Sequence, residues 1–186
     1  MKQNIFPAIR LTLVCIVVFM VIYPAIIWAV AKAAPSKGEG EAVTVNGKVV
    51  GYKLEGQSFT QDKYFNGRPS AAGYNAAGSS GSNKGPSNPD YLKDVQSRID
   101  SFLVHNPTVK KEDIPSDLVT SSGSGLDPDI SLKGATVQVD RIAKERNLPK
   151  EKIVALIQSN IEKSSMNGIE KINVLKINIE LDKLKQ

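Results

Sequence analysis

The sequence predicts an α+β fold, in which one N-terminal transmembrane helix precedes a single soluble domain with three or more helices and a small sheet. An uncharged apolar run, several apolar stripes with helical spacing and two stretches with strand character support this fold class. We divide the 186 residues into an N-terminal tail (1–10), a transmembrane helix (11–31), a linker (32–42) and a soluble α+β domain (43–186).

The transmembrane helix is predicted from residues 11–31, which contain no charged side chain. A helix of this length rises about 30 Å, the thickness of a bilayer hydrocarbon core. A cleaved signal peptide is the alternative, because Lys2 and Arg10 are basic and residues 31–33 resemble a cleavage site. The run exceeds the usual apolar core of about 7–15 residues, which favours a retained anchor. The short basic tail predicts a cytoplasmic N-terminus and an extracytoplasmic soluble domain, and Pro24 predicts a kink.

The composition argues against several classes of function. The net charge of +5 is modest, and Lys and Glu alternate along the C-terminal half, which indicates solvated helix faces and no nucleic-acid partner. The single cysteine, Cys15, lies in the apolar run, so the soluble domain has no disulfide and no thiolate metal site. The single histidine, His105, provides neither a metal site nor a catalytic triad, and we expect no metal to bind this chain.

The first part of the soluble domain is predicted to hold a hairpin and a helix. Residues 43–50 read as two short strands around Asn46-Gly47, a dipeptide typical of a type I′ turn. Residues 88–90 have the capping pattern of a helix start, and the helix is expected to end near His105. Its apolar stripe comprises Leu92, Val95, Ile99, Phe102 and Leu103.

The second part is predicted to hold two more helices and a late strand. One helix is expected from Ser131 to about Asn147, and the next begins near Pro149 and ends before Asn167-Gly168. The apolar residues of the later helix are Ile153, Leu156, Ile157 and Ile161. Finally, alternation with polar residues predicts a half-buried strand. Its apolar residues are Leu175, Ile177, Ile179 and Leu181.

Two polar loops interrupt these elements. Residues 64–88 are rich in Gly, Ser and Asn, and they form either a flexible loop or a phosphate cradle made of backbone N–H groups. They lack the strand and helix context of a P-loop. Residues 114–131 interleave hydroxyls, glycines and acids, which either bind a cation or phosphate or form local turns.

Recognisable catalytic patterns are missing from the sequence. It has no G-x-S-x-G elbow, no His/Cys cluster and no carboxylates paired at a spacing that suits acid–base chemistry. The residues therefore predict a non-catalytic anchored subunit, or a membrane-anchored extracytoplasmic ligand-binding module that uses the Gly/Ser-rich loops. A hydrolase with Ser122 or Ser124 as its nucleophile is a third hypothesis.

Short motifs are distributed over both loops and the region after them. Those in the loops comprise Tyr64, Phe65, Gly67, Arg68, Pro69, Ser70, Gly85, Pro86, Ser87, Asn88, Thr120, Ser122, Gly123, Ser124, Gly125, Leu126 and Asp127. Later motifs run from Gln138 to Arg146 and from Asn173 to Asn178. In this order, over almost the whole chain, they resemble the C subunit of the Kdp potassium-transporting P-type ATPases. No role is assigned to Asp129.

The resemblance implies a non-catalytic accessory subunit of an ATP-driven, high-affinity potassium uptake complex in the bacterial inner membrane. The implied partners are a potassium-binding channel-like subunit, an ATP-hydrolysing P-type ATPase subunit and the lipid bilayer. The role implied for this subunit is to support assembly and, as a catalytic chaperone, to raise the ATP affinity of the catalytic subunit. ATP is therefore the implied ligand, with Gln138 and Arg141 as its contacts.

The predicted orientation conflicts with a direct contact between Gln138 or Arg141 and ATP. An extracytoplasmic domain has little access to ATP, so the effect on ATP affinity would then be indirect. In that case the two side chains, which share a helix face, either bond back onto residues 114–131 or help to dock a partner subunit.

Overall fold

The computed structural model describes residues 4–163 and 168–184. The chain divides into two units, residues 1–42 and residues 43–186. An α+β fold class is confirmed, because a long apolar N-terminal helix is followed by shorter helices and small antiparallel sheets. Lys2 and Asn167, on which two predictions depend, lie outside the described residues.

The first unit contains one long apolar helix, α1 (Ile5–Ala33), which begins earlier and ends later than the predicted residues 11–31. It is long and apolar enough to cross a membrane, and none of its residues is buried. A π-helical stretch, Val17–Ile22, lies directly before Tyr23-Pro24. Proline removes one donor from the helical hydrogen-bond ladder, and widened turns are a common way to absorb such an interruption.

The second unit begins with a hairpin of β1 (Ala42–Val45) and β2 (Lys48–Tyr52). The turn residues Asn46 and Gly47 have φ angles of 50° and 75°. Both values are positive, as a type I′ turn requires, so the predicted hairpin is confirmed. Neither strand contains a buried residue.

Helix α2 (Pro89–His105) has the predicted bounds. The Asn88 side chain caps it, because Oδ1 accepts hydrogen bonds from the backbone N–H groups of Asp90 and Tyr91 at 3.0 and 3.1 Å. The helix lies at the surface and buries no residue fully. Phe102 packs against the core, whereas Leu92 at the other end of the predicted stripe is 52% exposed.

The predicted helix from Ser131 to Asn147 is wrong as a single element, because it is broken into α3 (Leu132–Thr136) and α4 (Val139–Arg146). Ser131 caps α3, as predicted, by accepting a hydrogen bond from Gly134 N–H at 2.9 Å. The break follows from Gln138, whose side-chain amide donates to the Gly134 carbonyl at 2.9 Å. In a continuous helix the Gly134 carbonyl would accept from the Gln138 backbone N–H, but here it accepts from the Gln138 side chain instead.

The next helix, α5 (Lys150–Ser159), follows Pro149 as predicted. Three of its predicted apolar residues are buried, namely Ile153, Leu156 and Ile157, while Ile161 lies beyond the end of the helix.

The predicted final strand is wrong: residues 174–183 form α6 (Val174–Lys183), directly after strand β5 (Glu170–Asn173). The alternating apolar residues coincide with a helical pattern. Its buried residues are Val174, Leu175, Ile177, Asn178 and Leu181. Their spacing is that of one helix face, and Asn178, which an alternating strand would expose, is 2% exposed. Asn173 caps α6 by accepting a hydrogen bond from Lys176 N–H at 3.0 Å.

The second sheet is antiparallel with the order β3-β5-β4, where β3 is Asp129–Ser131 and β4 is Glu162–Lys163. Ile130 pairs with Ile172, and Glu162 pairs with Lys171. The core lies between this sheet and helices α3 to α6. It comprises Phe65, Leu118, Ile130, Ala135, Val139, Ile142, Ala143, Leu148, Ile153, Leu156, Ile157, Ile172, Val174, Ile177 and Leu181.

Candidate functional site

Residues 62–66, here called the central segment, run through the domain without belonging to a helix or a strand. They include the motif residues Tyr64 and Phe65, and Phe65 is fully buried. Buried backbone groups outside regular structure need hydrogen-bond partners from elsewhere. Side chains of α4 and α6 provide those partners.

Arg141 of α4 is the centre of this arrangement, and its side chain is 2% exposed. All five of its N–H donors can be assigned to acceptors. The acceptors are Oδ1 of Asn106 for Nε, the carbonyls of Asp62 and Tyr64 for Nη1, and the side-chain oxygens of Asn66 and Gln138 for Nη2. The Nη2 contacts measure 2.8 Å to Asn66 and 2.6 Å to Gln138. Arg141 therefore fixes the central segment at both ends.

Gln138 lies beside Arg141 and is fully buried. Its Oε1 accepts a hydrogen bond from the Asn66 backbone N–H at 2.8 Å, and its Nε2 donates to the Asn66 carbonyl at 3.2 Å. The amide thus holds the backbone of Asn66 from both sides. The expectation that these side chains bond back onto residues 114–131 is wrong, because they bond mainly to the central segment instead.

The charge of Arg141 is partly compensated inside the domain. Burial lowers the pKa of its guanidinium, while the carboxylates of Asp62 and Glu145 act in the opposite direction. Asp62 Oδ1 lies 4.0 Å from Nη1 of Arg141 and 2.9 Å from Nδ1 of His105. The one histidine therefore forms an ion pair at the edge of this network when it is protonated.

Asn178 of α6 holds the central segment from a second helix. Its Oδ1 accepts a hydrogen bond from Phe65 N–H at 2.9 Å, and its Nδ2 donates to the Phe65 carbonyl at 3.0 Å. No pattern in the sequence singled out this role, because the alternating apolar residues placed Asn178 on the solvent face. Helical spacing with Val174, Ile177 and Leu181 is the signal that points to its burial.

Arg146 connects the central segment to the end of α6. Its Nε donates to the Lys63 carbonyl and its Nη2 contacts Asp182 Oδ1, both at 2.7 Å. The guanidinium carbon lies 4.9 Å from the centroid of the Tyr64 ring. Tyr64 donates its hydroxyl to Asp182 at 3.0 Å. Burial and that hydrogen bond raise the pKa of Tyr64.

The two motif loops pack against each other. Ser70 Oγ donates to the Gly125 carbonyl at 2.6 Å, and Ser79 Oγ donates to the Ser124 carbonyl at 2.9 Å. The backbone N–H of Ser122 donates to the Pro69 carbonyl at 3.1 Å. These bonds engage backbone groups of Pro69, Ser122, Ser124 and Gly125 within the protein.

Gly125 is needed where the loops meet. Its φ is +69°, and a Cβ at this position would lie 2.7 Å from the Ser80 carbonyl oxygen and 2.9 Å from Ala72 Cβ. Gly123 is equally close to Gly81, because a Cβ on Gly81 would lie 2.9 Å from the Gly123 carbonyl oxygen. The glycines of these motifs permit close backbone contact between the loops.

An ion pair joins the same loops near the central segment. Arg68 Nη1 donates to Asp127 Oδ2 at 2.9 Å, and both side chains are about a quarter exposed, at 25% and 29%. Tyr74 donates its hydroxyl to the Arg68 carbonyl at 2.6 Å, and burial raises the pKa of Tyr74. Gly56 N–H donates to the Leu126 carbonyl at 2.7 Å, so the segment before the central segment joins this contact.

The remaining motif residues have local roles. Gly85 accepts a hydrogen bond from Asn88 N–H at 3.0 Å, which shapes the turn before α2, while Pro86 and Ser87 are exposed. Thr120 Oγ1 donates to the Ser116 carbonyl at 2.7 Å. Gly67 lies beside the Val174 side chain. Asp129 pairs with Lys171 at 2.5 Å across the β3–β5 ladder, which raises the pKa of Lys171.

Neither candidate nucleophile is paired with a base in the described part of the chain. Ser122 is 2% exposed and its Oγ has no hydrogen-bond partner there. Ser124 Oγ accepts a hydrogen bond from Leu126 N–H at 3.0 Å. His105, which bonds to Asp62, contacts neither serine. Over residues 4–163 and 168–184, no group of three or more His, Cys, Asp or Glu side chains could hold a metal ion.

Comparisons with known proteins give one consistent result. Residues 5–183 match the family described as "KdpC: K+-transporting ATPase, c chain". The Potassium-transporting ATPase KdpC subunit of Flavobacterium psychrophilum is 55% identical over 183 residues, covering 98% of this chain and all of that protein. The proteins of the same name from Bacteroides fragilis and Bacillus mycoides are 48% and 45% identical over 188 residues, covering 98% of this chain and 98% and 97% of their own lengths.

The match extends over both the apolar helix and the folded domain, so it is not confined to one motif or one unit. It includes the central segment, both motif loops and the residues that hold them together. The chain therefore belongs to the KdpC family of potassium-transporting ATPase subunits.

Proposed function

We propose that this chain is a non-catalytic accessory subunit that supports assembly of an ATP-driven, high-affinity potassium uptake complex in the inner membrane. Its partners are a potassium-binding channel-like subunit and an ATP-hydrolysing P-type ATPase subunit. Helix α1 crosses the bilayer once with its N-terminus in the cytoplasm, and residues 43–186 lie outside. The family membership and the length and apolarity of α1 support this proposal.

One observation carries the proposed mechanism. Gln138 and Arg141 direct their hydrogen bonds into the domain and hold the central segment. A guanidinium whose five donors all have internal acceptors has none left for a phosphate unless it gives up existing bonds. The two residues therefore act as positioning residues that fix the motif loops as one rigid surface for a partner subunit. Any rise in ATP affinity is transmitted through that assembly.

A second variant can distinguish a direct contact between Gln138 and ATP from the positioning role proposed here. Asn178→Ala loosens the same central segment from another helix, and nothing assigns Asn178 to a nucleotide. We expect Gln138→Ala and Asn178→Ala to change the apparent KM for ATP in the same direction and by a similar factor. Steady-state ATPase kinetics of the purified complex check this, with subunit content measured on the same samples. A shift confined to Gln138→Ala, in a complex of normal composition, supports direct contact.

The same variants test membership of the uptake complex in cells. A strain that lacks this gene is expected to fail to grow only at low external potassium, and the wild-type chain restores growth. Both variants should restore it poorly, because a loosened domain assembles less well. If the deletion strain grows at low potassium with no other uptake system active, the proposed function is contradicted.

Orientation is tested separately. Protease added to intact spheroplasts is expected to digest residues 43–186, because these residues lie outside in the proposed orientation. A tag placed before Ile5 should stay protected until the cells are lysed. The opposite pattern, with the tag digested and the domain protected, would reverse the assignment. It would also give Gln138 and Arg141 access to cytoplasmic ATP.

A further inference from the structure

The β1–β2 hairpin presents apolar side chains to solvent. We call these residues the hairpin patch: Val49 is 58% exposed, Val50 39%, Tyr52 38% and Leu54 67%. Neither strand buries any residue. Val50 and Tyr52 lie on one face of β2 and Val49 lies on the other, so apolar side chains are exposed on both faces of the hairpin. An isolated two-stranded hairpin is marginally stable in water, and apolar exposure of this kind marks an interaction site.

The domain holds this hairpin at its base and leaves Val49 and Leu54 exposed, while Val50 lines a cavity shared with Phe59 and Leu175. Asn173 Nδ2 donates to the Lys53 carbonyl at 2.8 Å. Beside it, Gly51 has no side chain because the Gln57 amide fills that space, where a Cβ would lie 1.6 Å from Gln57 Nε2. These contacts fix where the hairpin leaves the domain. They do not cover Val49 or Leu54.

The chain keeps the start of β1 close to the end of α1. Residues after Ala33 turn back on the helix: Lys37 N–H donates to the Ala34 carbonyl at 2.8 Å, and Glu39 N–H donates to the Ser36 carbonyl at 2.9 Å. Lys32 pairs with Glu39 at 3.5 Å. Strand β1 begins only a few residues later, at Ala42. At most about 3.6 Å of chain per residue is available, so β1 must begin close to the end of α1, where the proposed membrane surface lies.

The chemistry of the patch matches the membrane interface. Val and Leu side chains gain from burial among acyl chains, Tyr52 has an apolar ring with a polar end, and Lys48 carries a charge that anionic headgroups attract. We propose that the hairpin patch inserts into the interfacial layer of the bilayer and fixes the domain against the membrane surface. This inference rests on the proposed membrane-spanning role of α1.

Fluorescence quenching by lipids tests the proposal on the full chain. In a Cys15→Ala background, single cysteines replace Val49, Leu54, Val21 or Val104, and each is labelled with an environment-sensitive dye. Val104 of α2 is the matched control, because it is apolar and 77% exposed but distant in sequence from the hairpin. The chain is reconstituted into phosphatidylethanolamine and phosphatidylglycerol vesicles, alone and with its partner subunits.

We expect nitroxides near the headgroups to quench the labels at Val49 and Leu54, and not the label at Val104. Deep nitroxides should quench the label at Val21. If Val21 is quenched and Val49 and Leu54 are not, the interfacial contact is overturned and the proposed function remains. If the Val21 label is not quenched, the spanning role of α1 fails as well. Shielding of Val49 and Leu54 from aqueous iodide only in the assembled complex, without quenching by lipid, assigns the patch to a partner subunit and overturns the proposal.

Discussion

Replacing Arg141 with methionine is expected to lower the free energy of unfolding of residues 43–186 by about 3–5 kcal/mol. The change removes a 2% exposed guanidinium and takes one hydrogen-bond donor from each of five oxygens, on the central segment, Asn106 and Gln138. Domains of this size are stable by only about 5–15 kcal/mol. We therefore expect the full-length variant to be poorly folded at growth temperature.

Thermal unfolding of the full chain in detergent, followed by circular dichroism, measures this loss. Arg98→Met is the matched control, since the described contact of Arg98 is a single hydrogen bond to the Val119 carbonyl at 3.1 Å. It should cost about 1 kcal/mol. Arg141→Lys keeps the charge but cannot reach the same acceptors with one ammonium group, so its stability should fall between the other two. Equal stability of Arg141→Met and Arg98→Met would contradict the proposed positioning role.

Much of the fold could be predicted because local chemistry determines it. Asn46-Gly47 favours a tight turn through its backbone, and Asn88 and Ser131 cap helices through atoms that lie within three residues. The predicted final strand is wrong because a short apolar segment can fit both the two-residue period of a strand and the 3.6-residue period of a helix. Leu175, Ile177 and Leu181 belong to an alternating set and to a helical face. Burial of Asn178 against Phe65 decides between them, and that contact is distant in sequence.

The candidate site was predictable as a set of residues but not as an arrangement. The motifs identified Gln138 and Arg141, yet their partners in the central segment lie more than seventy residues earlier, as the separations of 72 to Asn66 and 77 to Tyr64 show. The Gly- and Ser-rich composition suggested a flexible loop. Gly125 and Ser70 instead serve close contact between two loops. Composition alone cannot distinguish a glycine that allows motion from one that allows packing.

Phe65→Ala is expected to destabilise the domain by about 3–5 kcal/mol, because Phe65 is fully buried and its removal leaves a cavity. The midpoint of thermal unfolding should fall by roughly 10 °C or more. Rigid packing prevents neighbours from filling the space, since Asn178 fixes both the N–H and the carbonyl of Phe65. Circular dichroism of the full-length variant measures the shift.

Phe59→Ala is the control for Phe65→Ala, because it also removes an aromatic ring but lies outside the central segment. Phe59 is half-buried and its ring centroid lies 5.7 Å from that of Tyr64, so its removal should cost about 1–2 kcal/mol. If the central segment sets the surface used in assembly, Phe65→Ala should also reduce the amount of this chain that copurifies with its partner subunits. Phe59→Ala should leave that amount nearly unchanged. Similar losses for both variants would mean that the central segment has no special role in holding the domain together.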